Sequence, residues 1–326
     1  MIAWAKRHAF LLMLGCVLLV GSVGHAPLRP IAETLPRDAI VFSILLAMSA
    51  RIDLLAGLRR RPAIVAAVAG VAVNALLAGV LAAMCRPWLP AGLGDGLVVA
   101  ALAPCTVASV AVWTRRGGGD ESVALAITAV TNALACVTLP VGVAWLLAGD
   151  AAVAPGALAM RLAWSVLLPM AVGQLLRVVS PTRRWCEAFR EPLGVAAQAG
   201  LLAMVFLAAV RSGPALAAGD ASVGAGGWLR LLASTLGIHL LLFAAGWRLS
   251  RVAGAGVREA LPAALGASQK TLAVGLSVAM SLGPLAVLPM IVYHATQLLA
   301  DEAIVQRLRP RFAAEPGAPD SAARGP

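Results

Sequence analysis

Leu261-Pro-Ala-Ala-Leu-Gly-Ala-Ser-Gln-Lys-Thr-Leu-Ala-Val-Gly-Leu276 is an apolar stretch with a polar knot at its centre, where Ser268, Gln269, Lys270 and Thr271 follow Gly266. Read as a span over residues 259–282, it places Lys270 roughly 15–20 Å from either end at the rise of a helix. A lysine at the middle of a bilayer costs on the order of 2.5–3.5 kcal/mol on insertion scales, so it should face protein or water. The alternative is a lysine that snorkels from near a helix end, and its central position argues against that. A small-and-polar knot inside an apolar span is also the sequence form of a discontinuous helix.

The surroundings agree with a membrane setting. Of the 326 residues, 60% are hydrophobic and only 13% charged, with a mean hydropathy of +0.88. Soluble domains carry nearer 25% charged residues, so the chain reads as all-α and polytopic. The net charge of +11 does not indicate nucleic acid, because the basic residues sit in short loops between apolar runs. The five cysteines (Cys16, Cys85, Cys105, Cys136, Cys186) have neither metal-ligand spacing nor a paired framework. No metal or cofactor is expected.

Ten apolar runs are predicted, over residues 9–25, 38–56, 62–85, 96–114, 122–147, 157–179, 194–216, 227–247, 258–282 and 285–306, most of spanning length. Arg51 and Asp53 interrupt the second. Ten spans return both termini to one side. Lys6, Arg7, Arg59, Arg60, Arg61, Arg115, Arg116, Arg183, Arg184, Arg190, Arg248, Arg251, Arg258, Arg307, Arg309 and Arg311 all fall there. The opposite loops hold little beyond Arg29, Arg37, Arg86 and Arg211. That asymmetry makes the basic side cytoplasmic and suits a bacterial inner membrane. Lys6-Arg7 followed by a short apolar run and Gly24-His25-Ala26 also permits a cleaved signal peptide. Residues 311–326 have the Pro-rich polar composition of a disordered tail.

The fourth run holds Leu102-Ala-Pro-Cys-Thr-Val-Ala-Ser109, where Pro104 must kink or break a helix. Thr106 and Ser109 supply hydroxyls for the freed carbonyls or for a ligand. Runs four and nine are five apart, so each is fourth in a five-span half, and halves with an odd number of spans are mutually inverted. Broken helices at matching positions of two halves are the sequence pointer to a transporter's binding site. The expected units are residues 1–150 and 151–310, two inverted repeats with discontinuous helices four and nine crossing, followed by the tail.

Several motifs resemble the bile acid:sodium symporter superfamily. They are Pro104-Cys-Thr-Val-Ala-Ser-Val-Ala-Val-Trp-Thr-Arg-Arg-Gly-Gly-Gly119 with Ala124-Leu-Ala-Ile-Thr-Ala-Val-Thr-Asn132 and Leu139-Pro140, Leu168-Pro-Met-Ala-Val-Gly-Gln-Leu-Leu-Arg177, the Gly266-Ala-Ser-Gln-Lys-Thr-Leu-Ala knot, and Leu288-Pro-Met-Ile-Val-Tyr-His-Ala-Thr-Gln-Leu298. The last two are similar above all to the branch that holds the seventh, orphan member of the vertebrate group and bacterial relatives. The resemblance covers nearly the whole chain. It implies a ten-helix inverted-repeat fold in which a panel domain and a core domain move against each other, and transport of a small solute by alternating access. Sodium-coupled relatives carry Ser-Asn in helix four, where this chain has Ser109-Val110, and an acidic residue at the position of Ala264. Sodium wants oxygen ligands with a compensating negative charge. Ser109, Thr128 and Asn132 offer oxygens without a carboxylate and Lys270 adds a positive charge nearby, which argues against sodium; a desolvated Lys270 able to exchange protons near neutrality opens proton coupling instead.

Lys270 is expected to take the electrostatic place of a bound cation and to hold an anionic solute, aided by half-helix N-termini. Gln269, Ser268 and Thr271 accompany it. His294 and Gln297, on one face of run ten near Tyr293, either line the cavity or join helices. His239, Gln174, Gln198 and Asn74 read as packing residues. Two further readings stay open. Ala103-Pro-Cys-Thr with Val112-Trp113 is similar to helix four of the arsenite permeases, although Lys270 stands where those have an acidic residue. A non-transporting regulator is the other. No nucleophile elbow, zincin helix or His/Asp cluster marks an enzyme. The expected partners are the lipid bilayer and a small solute, with no nucleic acid.

Overall fold

Among the described residues the apolar runs fold as helices, two of them interrupted. The computed structural model describes residues 9–53, 60–147, 154–217 and 224–313, and no strand occurs among them. In chain order the helices are α1 (Ala9–Val23), α2 (His25–Thr34), α3 (Arg37–Arg51), α4 (Arg61–Trp88), α5 (Ala91–Leu102), α6 (Ser109–Arg116), α7 (Glu121–Leu146) and α8 (Pro155–Val178). They continue with α9 (Ser180–Ala188), α10 (Arg190–Ala217), α11 (Ala225–Val252), α12 (Val257–Ser268), α13 (Leu272–Leu282) and α14 (Leu288–Ala313). Lys6, Arg7, Arg59 and the tail beyond Ala313 lie outside the described residues, as do the side chains of Arg309 and Arg311.

Among the described residues α4, α7, α8, α10 and α11 are long and apolar enough to cross a membrane on their own. The chain turns through 107° between α1 and α2, and that pair makes a sixth candidate. Two helices were not expected. One is α2, which contains Pro30 and none of whose residues is buried. The other is α9, with Arg183, Arg184 and Trp185 exposed, the make-up of a helix lying along a membrane surface.

Helix packing divides the elements into two groups. In the first, α10 packs on α1, α2 and α3, while α8 packs on α3 and α9. In the second, α12 is surrounded by α4, α6, α7 and α11, and α14 packs on α5, α6, α11 and α13. The groups meet where α13 touches α3 and α10 and where α8 touches α7. Small residues set the spacing in the second group. A Cβ on Gly246 of α11 would stand 2.7 Å from Cβ of Ala267 and 2.9 Å from the carbonyl oxygen of Ala263, so only glycine lets these helices approach so closely.

Both predicted interruptions are real breaks. The first covers residues 103–108. Ala103, ahead of Pro104, is forced out of the helical region to φ −59°, ψ 142°. The second falls at residues 269–271, with Gln269 and Thr271 both extended. It comes later than Gly266, which the sequence marks as the break. Helix α12 continues through Gly266 to Ser268. Gly266 is there for close packing instead, since a Cβ on it would stand 2.8 Å from Cγ2 of Ile127.

Candidate functional site

A broken helix leaves backbone donors and acceptors that a membrane interior does not satisfy. Here side chains satisfy them. At the first break, the Cys105 N–H donates to Thr131 Oγ1 (3.3 Å) and its carbonyl accepts from Asn132 Nδ2 (2.9 Å). Thr128 Oγ1 donates to the carbonyl of Thr106 (3.1 Å). All three partners come from α7.

At the second break, Gln297 of α14 grips the backbone of Lys270 at two points. Its Oε1 accepts from the Lys270 N–H (2.8 Å) and its Nε2 donates to the Lys270 carbonyl (3.1 Å). Asn74 Nδ2 of α4 donates to the carbonyls of Gly266 (2.9 Å) and Ala267 (3.2 Å). Tyr293 Oη donates to the carbonyl of Ser268 (3.0 Å). The Ser268 hydroxyl turns back onto its own helix, bonding the carbonyl of Ala264 (3.0 Å). The two breaks then join, because the Thr271 N–H donates to the carbonyl of Pro104 (2.8 Å).

Gln269 is the side-chain link between them. Its Oε1 accepts from Thr106 Oγ1 (2.7 Å) and Ser109 Oγ (2.8 Å), and its Nε2 donates to Asp301 Oδ2 (2.7 Å). Asp301 Oδ1 lies 3.0 Å from His239 Nε2, and both residues are fully buried. The sequence reading expects no carboxylate here and places His239 among packing residues, so this pair corrects it. Asp301 sits beside Glu302 at the end of an apolar run and resembles an ordinary terminal charge. The signal available was spacing, since Tyr293, Gln297 and Asp301 recur at every fourth residue on one helix face. Asn74 is likewise more than packing.

Lys270 is fully buried, and its Nζ donates to the backbone carbonyl of Asn74 (3.1 Å). Asn74 lies in the π turn Val73–Leu77, where the wider helical turn loosens the regular ladder. The ammonium therefore points at α4.

A cavity of about 320 Å³ opens beside the breaks, between the two helix groups. Thr106, Ser109, Thr271 and His294 line it with the charged Arg51, Arg116 and Glu302, while Ile44, Met48 and Leu201 form apolar wall. Lys270, Gln269, Ser268, Thr128, Asn132 and Gln297 belong to the polar framework behind that lining. A second cavity, of about 720 Å³, lies at the far end of the same helices, lined by Arg37, Arg211, Met280 and Pro284 among others. Between the two, α3 contributes Val41 and Leu45, α10 contributes Met204 and α13 contributes Leu276, all buried in one apolar cluster.

Among the described residues two buried side-chain oxygens have no hydrogen-bond partner, Thr114 Oγ1 on α6 and one beside the first break. The latter is Oδ1 of Asn132, whose Nδ2 is fixed by the carbonyls of Cys105 and Thr128. Such an atom is costly unless something fills it. No group of His, Cys, Asp and Glu among the described residues has the arrangement of a metal centre.

The model of the SBF-like CPA transporter family matches residues 9–310. The chain belongs to that family. No curated protein matches it. As a member of the SBF-like CPA transporter family it is an integral membrane protein and a secondary transporter, of the bile acid:sodium symporter-like kind.

Proposed function

We propose that the chain moves a small organic anion across the membrane by alternating access, using the two cavities as its two mouths. The observation that carries this reading is that both cavities border the same three helices from opposite ends. On α3, Met48 and Arg51 face one and Arg37 the other; on α10, Leu201 and Arg211; on α13, Leu272 and Met280. An apolar plug separates them, so sliding one helix group past the other would close one mouth and open its opposite.

Ten spans follow if α1 with α2, α5 with α6, and α12 with α13 each count as one, α9 lying outside the membrane. Residues 1–150 and 151–310 are then two inverted repeats, with the basic loops cytoplasmic in a bacterial inner membrane. The kinship with the branch of the orphan seventh cotransporter rests on the Ser-Gln-Lys and Tyr-His-x-x-Gln motifs. Arg51 and Arg116 against a single Glu302, with apolar walls between, suit an anion bearing an apolar body. Cys105 speaks against arsenite, because its thiol is buried against Thr128 and the carbonyl of Thr106, away from the cavity.

Lys270 takes the electrostatic place that a bound cation holds in sodium-coupled relatives, by tying the second break to α4. It acts on the solute through the position of Thr271, not by contact. The coupling ion is H⁺ in this reading, while Asn132 Oδ1 keeps Na⁺ as the competitor. Melting temperature in detergent separates them, with sodium against potassium at equal ionic strength, from about pH 5.5 to about pH 9. Sodium should give no specific rise, and any pH dependence should vanish in Lys270→Met. In proteoliposomes that variant should lose about 100-fold in solute flux, the factor that about 2.7 kcal/mol represents, while remaining folded. A fully active Lys270→Met, or cysteines at both mouths with fixed accessibility whatever solute is added, would overturn the proposal; the second result would leave a regulator.

A further inference from the structure

The larger cavity carries a charge pattern that the transport reading does not use. Its rim holds Arg29, Arg37 and Arg211 with Glu33 and Asp38, and Arg161 reaches its edge from α8. The acidic groups are spoken for. Glu33 accepts from Arg29 Nε at 2.7 Å. Asp38 Oδ1 accepts from Arg161 at 3.0 and 2.5 Å, and Arg161 also donates to Ser281 Oγ at 3.1 Å. Arg37 is left 3.9 Å from that same Asp38 oxygen, too far for a hydrogen bond. Arg211 makes no hydrogen bond or ion pair with any described residue. Arg37 therefore keeps only a loose ion pair with a carboxylate already held by Arg161, and it stands over the same cavity as Arg211, close enough for the two positive charges to repel.

We propose that Arg37 and Arg211 bind an oxyanion, a carboxylate, sulfate or phosphate group, at this mouth. A guanidinium presents paired N–H donors matched to such groups, and an anion between the two would relieve their repulsion. Leu207, Val210 and Met280 give the remainder of a bound molecule an apolar wall. The site is distinct from the cavity at the breaks. It rests on the transport reading only in being called a mouth. The oxyanion has two sources, a dissolved solute or the phosphate of a lipid headgroup.

The test is the melting temperature of the purified full chain in neutral detergent, titrated with sodium sulfate or with sodium chloride at equal ionic strength. Sulfate should raise it saturably beyond chloride. Arg37→Gln and Arg211→Gln should each shift half-saturation by about tenfold, the worth of one charge-assisted hydrogen bond. Arg116→Gln, at the other cavity, should keep the wild-type response. Sulfate acting no better than chloride, or a double Arg37→Gln/Arg211→Gln variant that still responds, overturns the site. Arg211 is exposed, so its variant carries the test if Arg37→Gln does not fold. Adding phosphatidylglycerol identifies the source. Suppression of the sulfate response at low mole fraction assigns the site to a headgroup, and persistence assigns it to a dissolved anion. Because no transport is measured, absence of the sulfate effect leaves alternating access standing, and loss of alternating access leaves the site standing.

Discussion

The two breaks touch through the Thr271 N–H on the Pro104 carbonyl and through Thr106 Oγ1 on Gln269, yet they are otherwise built from different parts of the chain. Apart from those contacts, the first is supported by α7, from Thr128, Thr131 and Asn132, partners 22 to 27 residues along the chain. The second is supported by three helices, through Asn74 of α4, His239 of α11 and Tyr293 and Gln297 of α14, with Asn74 reaching across 192 residues. A proline starts the first. No proline or glycine lies within the second, and its extended backbone persists because neighbouring side chains occupy its freed groups. A break made by its own residues tolerates loss of a neighbour. One made by its neighbours does not.

That difference is broken most directly at Gln297. Gln297→Leu leaves both the N–H and the carbonyl of Lys270 buried without partners, at a cost of about 1–3 kcal/mol each. Partial rescue by other groups is usual inside membrane proteins, so a total of about 2–4 kcal/mol is expected. The melting temperature in detergent should fall by about 4–8 °C. A fall no larger than that of an ordinary surface substitution would mean that the second break holds itself open.

The corresponding change at the first break is Asn132→Leu. It strands the carbonyl of Cys105, while Thr131 still accepts from the Cys105 N–H and Thr128 still serves Thr106. It also removes the unfilled Oδ1, which offsets part of the loss. The expected fall is about 2–4 °C, roughly half that of Gln297→Leu. If Asn132→Leu instead abolishes a sodium-specific rise in melting temperature, Oδ1 is a cation ligand and proton coupling is wrong.

The same contrast explains what the sequence made legible. Helix positions followed from apolar run length, because a bilayer demands it, and the first break followed from Pro104 with Thr106 and Ser109 beside it. Lys270 was conspicuous because charge in an apolar span is rare. Its direction was not legible, since no local pattern says that a π turn at Val73–Leu77 will offer Nζ a carbonyl. Asp301 and His239 were missed for a related reason. They lie 62 residues apart, each unremarkable in its own segment, and only the packing of α14 on α11 makes them a pair. The two cavities were also beyond the sequence. They lie between helix groups, and no single segment carries a pattern that marks where two groups will part.

The smallest effect sharpens the comparison by separating framework from lining. Gln269 Oε1 accepts two hydroxyls, and Ser109→Ala removes one while Thr106 Oγ1 retains its bond at 2.7 Å. With the acceptor still served, the loss is that of one exchangeable membrane hydrogen bond, about 0.6 kcal/mol, and the melting temperature should move by no more than about 2 °C. Ser109 nevertheless lines the cavity, whereas Gln269 stands behind it. A lining role predicts that Ser109→Ala raises KM for the solute with maximal flux little changed, the pattern for loss of uniform binding. A framework role predicts the reverse, lower maximal flux at unchanged KM, because the hydroxyl would then matter by holding Gln269 while the breaks move. Thr106→Val serves as the internal comparison. Thr106 Oγ1 lies 2.5 Å from Ser109 Oγ and also accepts from the Val110 N–H at 3.3 Å, so its loss touches lining and backbone together. Its variant should therefore change both parameters, and a Ser109→Ala profile that matches it would show that lining and framework are one unit.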